Sequence, residues 1–242
     1  MSDPIIYPFA SVELEGIKYS KLHKGKNRVL RSNITDISGQ NLYIMGPKMS
    51  LGSDIIKQYG YYYIDLLFRK NNKNNQRFLD FVRNVDYLAI SEIHENSKLW
   101  YCQETDVSLI QIEQEYIPTV KLSTIYTELQ AMKLKVAESV IEFYDQDNIA
   151  VPHHLIKEDY KVLPLLHLAA TYKDDSHLWT HWDVPQLKVI LPEMPIIGCQ
   201  LHDIDDTDED DEEAIPDIDI EVKEAKEEKE AKELQGEELC QD

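Results

Sequence analysis

The chain has 242 residues, a formal net charge of −20 and a hydrophobic fraction of 43%, which is ordinary for a globular protein and excludes wholesale disorder. No apolar run approaches the roughly 18 residues that a membrane helix needs, and the start of the chain lacks the pattern of a secretory signal. Three widely spaced Cys exclude a disulfide framework and indicate a reducing compartment.

The acidic residues are concentrated near the C-terminus. Residues 203–242 contain 20 Asp and Glu and 4 Lys, a net charge of −16, which leaves residues 1–202 at −4. Because like charges repel and the first part of this segment has almost nothing apolar to bury, we predict a disordered acidic tail over 203–242. We expect residues 1–202 to form one globular domain, and its charge does not argue against a nucleic-acid partner.

The first patterned segment, Gly16–Thr35, is basic and contains no acidic residue. Phosphate groups are one natural counterpart, because Lys and Arg neutralise them with release of counterions. A solvated loop, or a surface covered by the acidic tail, explains the same charges. The cations of this segment are Lys18, Lys21, Lys24, Lys26, Arg28 and Arg31.

A short strand over Gln40–Met45 and a turn-rich connector over Gly46–Gly52 come next, followed by an aromatic strand over Tyr59–Phe68. Side chains of a strand alternate between its faces. The apolar even positions from 62 to 68 therefore predict a core face, which leaves Tyr61 and Tyr63 on the opposite face.

Helical spacing of apolar residues predicts a helix over Gln76–Glu95, after a polar turn over Asn71–Asn75 and ending near Asn96. Apolar positions every three or four residues predict a second helix over Ser123–Tyr144. Strands are predicted over Lys98–Gln103, Leu109–Lys121, Val162–Ala170, Leu178–Trp182 and Gln186–Leu191, with Pro164, Pro185 and Pro192 at strand ends or edges. These elements predict a mainly β fold of the α+β class with two or more helices.

No nucleotide-binding, protease or hydrolase motif, and no Cys-x-x-Cys pair, occurs in the sequence. His177 and His181 are four residues apart, a spacing that pairs metal ligands on a helix, but their surroundings are typical of a strand. The acidic pairs lie in turn-like contexts. We therefore predict no enzyme activity, no cofactor and no metal site.

Aromatic and basic residues together favour a nucleic-acid site. Tyr61 and Tyr63 on an exposed strand face, followed by four cations, are typical of a base-stacking platform with a phosphate clamp, although these Tyr side chains could equally pack under a loop. Trp179 and Trp182 face opposite sides of a strand, so that one is core and one surface. The stacking candidates are Tyr43, Tyr61, Tyr63, Trp100 and Trp179. The phosphate candidates are the six cations of the basic segment with Lys48, Arg69, Lys70, Lys73 and Arg77.

Five motifs, in order, resemble single-stranded DNA-binding proteins of large nucleocytoplasmic DNA viruses. They span most of residues 40–190, and each is weak alone. The motifs are GPKMSLG at Gly46–Gly52, FLDFVRNVD at Phe78–Asp86, ENSKLWY at Glu95–Tyr101, YIPTVK at Tyr116–Lys121 and HWDVPQLKV at His181–Val189.

The resemblance implies an elaborated oligonucleotide/oligosaccharide-binding (OB) barrel. It also implies sequence-tolerant binding of single-stranded DNA in viral replication, recombination or repair, inside the cytoplasm or nucleus of a host cell. Acidic tails of similar proteins modulate DNA binding and recruit replication proteins. This tail lacks their terminal aromatic residue, a departure that puts recruitment by the tail tip in doubt. Whether the chain is a homo-oligomer stays open, and the alternative function is an acidic adaptor that binds basic proteins in the manner of a histone chaperone.

Overall fold

The computed structural model describes residues 4–25 and 29–191, so that Lys26, Arg28, Pro192 and the predicted tail lie outside the described residues. The domain boundary at residue 202 therefore stays a prediction. The α-helices within these ranges are α1 (Lys73–Glu95), α2 (Ser97–Tyr101) and α3 (Leu109–Glu115). The strands are β1 (Ile6–Pro8), β2 (Lys18–Tyr19), β3 (His23–Lys24), β4 (Leu30–Thr35), β5 (Leu42–Met45), β6 (Met49–Leu51), β7 (Ile56–Gln58), β8 (Tyr61–Phe68), β9 (Tyr116–Ile117), β10 (Val120–Leu122), β11 (Gln130–Ala137), β12 (Glu142–Tyr144), β13 (Lys161–Lys173) and β14 (Leu178–Ile190).

The strands form a strongly curled sheet, a half-barrel that confirms the predicted α+β, OB-like fold class. The long strands β13 and β14 pair antiparallel, and the other edge of β13 pairs in turn with β6, β5 and β4. Strand β8 is paired along its full length by β11. None of the helices in the described ranges is long and apolar enough to cross a membrane.

Two apolar clusters hold the fold together. In the larger one, Phe78, Val82 and Val85 of α1 pack with the inward side chains of the sheet, such as Ile64 and Leu66. The smaller cluster joins the second half of α1 to α2, α3 and the start of β14. Because these residues are almost completely buried, the two clusters fix α1 across the sheet.

Two compensating bulges interrupt the β13–β14 ladder. Leu168 pairs with Trp182 and Ala170 with His181, so Ala169 is an extra residue on β13. The extra residue of β14 falls at Val184–Pro185, between Asp183, which pairs with His167, and Gln186, which pairs with Leu165. Each bulge exchanges the inward and outward positions of its strand.

Several predicted elements are confirmed. The predicted strands over Gln40–Met45, Tyr59–Phe68 and Val162–Ala170 correspond to β5, β8 and β13. The predicted helix over Gln76–Glu95 is α1, which begins three residues earlier because the Asn72 side chain accepts hydrogen bonds from the backbone N–H groups of residues 74 and 75.

The two strands predicted on either side of residues 183–185 are one strand, β14, and Pro185 and Pro164 lie inside strands rather than at their ends. Pro185 occupies the bulge of β14, a position that needs no ladder hydrogen bond. Pro164 lies between the part of β13 that pairs with β6 and the part that pairs with β5.

Three other predictions were wrong. The strand predicted over Lys98–Gln103 is the short helix α2, and most of the strand predicted over Leu109–Lys121 is α3, which Ser108 caps. The helix predicted over Ser123–Tyr144 is instead β11 and β12. Its true signal is the alternation of buried even and exposed odd positions from 132 to 136, which a helical count of the apolar residues obscured.

The predicted connector Gly46–Gly52 contains the strand β6, and its two glycines stand where the backbone passes close to other strands. A Cβ on Gly46 would lie 2.9 Å from a side-chain carbon of Pro164, and one on Gly52 would lie 2.9 Å from Leu67. The glycines of this motif therefore allow β6 to pair between β13 and β8.

Asp86 is a buried carboxylate of α1 that ties the helix to the segment after α3. It accepts hydrogen bonds from the Tyr116 hydroxyl (2.9 Å), the Thr119 backbone N–H (2.9 Å) and the Thr119 hydroxyl (2.6 Å). This single side chain thus fixes the start of β9 and the turn that follows it against the helix.

We expect Asp86→Ala to lower the free energy of unfolding by about 3 kcal/mol, because the buried Tyr116 hydroxyl and the half-buried Thr119 groups lose their common acceptor. Urea denaturation followed by circular dichroism measures the change. Asp80→Ala is the matched control on the exposed side of α1, where the change stays below about 0.5 kcal/mol. Equal losses in the two variants would contradict this role of Asp86.

Candidate nucleic-acid interface

One face of the sheet carries a row of side chains across five strands. Arg31 on β4 pairs with His23 on β3 and with Tyr172 on β13. Tyr172 in turn pairs with Trp179 on β14, which pairs with Ile117 on β9. Because directly paired residues share a face of a sheet, the row forms one continuous surface.

The centre of this row is an ordered aromatic platform, which we define as Arg31, Tyr172 and Trp179. The rings of Tyr172 and Trp179 are stacked, with centroids 5.5 Å apart and planes 14° from parallel. The guanidinium carbon of Arg31 lies 5.5 Å from the centroid of the Tyr172 ring. The two rings are partly exposed and Arg31 is exposed. The platform therefore presents flat π-faces beside a cation.

Tyr172 and Trp179 of the platform form one wall of a groove of about 700 Å³. Tyr61 of β8 and Lys133 and Lys135 of β11 line the groove with Lys121. The Lys135 ammonium lies 4.3 Å from the Tyr61 ring centroid, and the Lys133 ammonium lies 3.6 Å from Asp65. The groove combines aromatic rings with several cations, so it can stack planar rings and neutralise anionic groups.

A polar strip continues the same face toward β5. The ring of Tyr43 stacks on His167 at 4.8 Å. Asp183 lies between two imidazoles: His181 Nε2 is 3.1 Å from its Oδ1 and His167 Nδ1 is 3.8 Å from its Oδ2. The hydrogen bond with His181 lowers the pKa of Asp183, and burial lowers the pKa of His167. The strip therefore holds an ionised carboxylate and a neutral His167 at neutral pH.

The basic segment is only partly involved in this face. Lys18 and Lys24 lie on β2 and β3 and Lys21 between them, and all three are exposed. Arg31 stands on the platform. Lys26 and Arg28 lie outside the described residues.

The second predicted group of cations is not beside Tyr61 and Tyr63. Arg69 and the cations after it follow the other end of β8, roughly 20 Å away at the usual rise of a strand. Lys48, Lys70, Lys73 and Arg77 are exposed around the start of α1. Arg69 is held by Asp159 and Ser50. The predicted phosphate clamp is thus a separate basic surface.

The aromatic candidates divide into two kinds. Tyr61 and Tyr63 lie on the outer face of β8, as predicted, and Trp179 lies outside while Trp182 is buried in the core. Trp100 is a correction: only 3% of its surface is exposed, because it packs in the smaller cluster under α1, and its ring offers no face for stacking.

Sequence reasoning missed six residues of this surface. The signal for Lys133 and Lys135 was their alternation with apolar residues, which the wrong helix prediction concealed. Tyr172 lies on the outer face only because of the bulge at Ala169, and the residue composition around Ala169 does not predict a bulge. The missed residues are Lys121, Lys133, Lys135, His167, Tyr172 and His181.

Solved structures of phage proteins show a distant likeness to this chain. The single-stranded DNA-binding protein of bacteriophage Enc34 is 12% identical, with a TM-score of 0.40 over 76% of this chain and 96% of that protein. Its complex with single-stranded DNA gives the same identity and score over 74% and 98%. The single-stranded DNA-binding protein gp2.5 of bacteriophage T7 is 11% identical, with a TM-score of 0.45 over 69% and 98%.

No family model and no curated protein matches the chain. TM-scores below 0.5 are too low to assign a function to this chain. The virus family that the five motifs resemble stays a prediction.

Trp179 is the one accessible tryptophan of the three, since Trp100 and Trp182 are each 3% exposed. We expect acrylamide to quench part of the tryptophan fluorescence and Trp179→Phe to remove that accessible part. Trp100→Phe, the control, should leave it in place. An unchanged accessible fraction in Trp179→Phe would contradict the placement of this ring at the groove.

Proposed function

We propose that this protein binds single-stranded DNA, with little dependence on base sequence, in the groove formed by the platform and by β8 and β11. The observation that carries the proposal is the stacked pair Tyr172–Trp179, which lies on one wall of a groove lined also by Tyr61 and lysines. Arg31 lies against the Tyr172 ring. Stacking tolerates every base, because each base has a π-face, and lysines track the phosphates.

A single strand suits this surface better than a duplex. Bases in a duplex are stacked on their neighbours, so partly buried rings such as Tyr172 and Trp179 find no open base face there. A single strand can place a base against the rings and its phosphates near Lys133 and Lys135. The choice of DNA as the partner rests on the family resemblance of the motifs.

The wider role that we propose is non-enzymatic and belongs to viral DNA replication, recombination or repair within a host cell. The acidic tail would cover cations of the body when DNA is absent and contact replication proteins when DNA is bound. The support for the tail's role is its charge of −16, carried by residues 203–242. The same charge is the observation that favours the alternative, an adaptor that binds basic proteins through its tail.

Replacing both rings of the platform tests the proposed site. We expect Tyr172→Ala combined with Trp179→Ala to weaken binding of an oligo-dT by about 2 kcal/mol or more, roughly 30-fold, because each base stacked on an aromatic ring contributes about 1–3 kcal/mol. Fluorescence anisotropy measures the affinity.

The matched control is Tyr87→Ala, which removes an exposed aromatic ring of α1 that does not line the groove. Circular dichroism of each variant checks that the fold is retained. Unchanged affinity in the folded double variant would show that the strand does not bind on the platform.

Removing residues 203–242 separates the two roles of the tail. If the tail competes with DNA for the cations, the shortened chain binds oligo-dT more tightly at low salt, and the difference fades as salt screens the charges. Equal affinities at low salt would contradict competition. An adaptor would instead lose its binding to basic proteins, such as histones, and show no affinity for DNA in either form.

A further inference from the structure

The two ring nitrogens of His181, a residue that lines the groove, have different surroundings. About a third of its side chain is exposed, and its ring meets Tyr172 edge-on with centroids 5.7 Å apart. One ring nitrogen, Nε2, lies 3.1 Å from Asp183 Oδ1. The other, Nδ1, has no hydrogen-bond partner among the described residues. It is also absent from the buried polar atoms of these residues that lack a partner, so it is accessible to solvent. His181 therefore has one nitrogen fixed by the protein and one open to the groove.

The charged and titratable groups around His181 come from several elements. The cations are Arg31 on β4, Lys121 on β10, and Lys133 and Lys135 on β11. The anions are Asp183 on β14 and Asp174 in the turn before β14. The remaining titratable side chains are His167 and Tyr172 on β13, Tyr61 on β8 and His177 in the same turn as Asp174. Burial keeps His167 neutral by lowering its pKa, and the hydrogen bond with His181 keeps Asp183 ionised. The anion beside His181 is thus present throughout the neutral range.

The tautomer of His181 follows from this arrangement. Because a carboxylate only accepts hydrogen bonds, Nε2 carries the hydrogen that points to Asp183. In the neutral ring Nδ1 is then an acceptor, which a phosphate oxygen avoids. When Nδ1 takes up a proton from solvent, it becomes a donor on a positively charged ring, and Asp183 holds that ring in place.

We propose that His181 is a proton-gated ligand for a phosphate of the bound strand, donating from Nδ1 to a phosphate oxygen only when the ring is protonated, with Asp183 as its positioning residue. This inference rests on the proposed binding of single-stranded DNA. It adds that affinity rises as the pH falls from 8 to 5.5, the range in which histidine changes charge.

Oligo-dT anisotropy at constant ionic strength, at several pH values between 8 and 5.5, tests the proposal. We expect the full chain to bind on the order of tenfold more tightly at pH 5.5 than at pH 8, the effect of one charge-assisted hydrogen bond. The slope of log affinity against log salt should steepen by about 0.7, as for one added phosphate contact. His181→Gln should remove both changes.

Two further variants make the assignment specific. His177→Gln alters the other exposed imidazole of the groove, which lies 3.7 Å from Asp174, and should keep the pH dependence. Asp183→Asn removes the carboxylate that positions the ring, so the rise in affinity at low pH should become smaller. Circular dichroism at each pH confirms that the variants remain folded.

The outcomes separate the two proposals. Binding whose pH dependence survives in His181→Gln, or disappears in His177→Gln, would overturn the role of His181 and leave the groove as the binding site. Binding without any pH dependence in the full chain would overturn it as well. A full chain that binds no oligo-dT at any pH would overturn the proposed function itself.

Discussion

The register of the β13–β14 ladder is the constraint on which the rest of the structure depends. Strands β4, β5 and β6 all pair with β13, and β9 and β12 pair with β14, so a slip in this ladder would misplace most of the sheet. The bulge at Ala169 exchanges the two faces of β13. Leu168 therefore points into the core while Tyr172, four residues on, points out of it.

The candidate interface is a direct consequence of that exchange. Had β13 continued without an extra residue, the even position 172 would face inward like position 168, and Tyr172 would be buried in the core. Instead Tyr172 stacks on Trp179 and receives the Arg31 guanidinium from the neighbouring strand. The bulge thus allows the platform to form from β4 and the two consecutive strands β13 and β14.

The groove also contains several positively charged side chains, although the chain as a whole is acidic. Lys121, Lys133 and Lys135 line the groove, and the Lys135 ammonium lies over the Tyr61 ring. Much of the chain's negative charge lies in residues 203–242, and the remaining residues are nearly neutral. The net charge of −20 therefore conceals a locally basic and aromatic groove.

The elements with long, regular apolar patterns could be predicted from the sequence, and the elements without such patterns could not. Strand β8 and helix α1 have long, regular apolar patterns, and both were found. The apolar spacing around β11 predicts a helix, because over a short range its apolar residues satisfy both the helical and the strand period. Trp100 was predicted to be a stacking residue, yet the packing of α2 in the smaller cluster buries it. The outward position of Tyr172 beside Trp179 depends on the single inserted residue Ala169, which no local sequence pattern predicts.

Anisotropy titrations of a fluorescent oligo-dT of about thirty nucleotides and of a duplex of the same length, at low and moderate salt, test the central claim most directly. A groove that stacks bases and neutralises phosphates predicts binding to the single strand that weakens with salt, and much weaker binding to the duplex. Equal affinity for the duplex, or no binding to the single strand at low salt, would contradict the account.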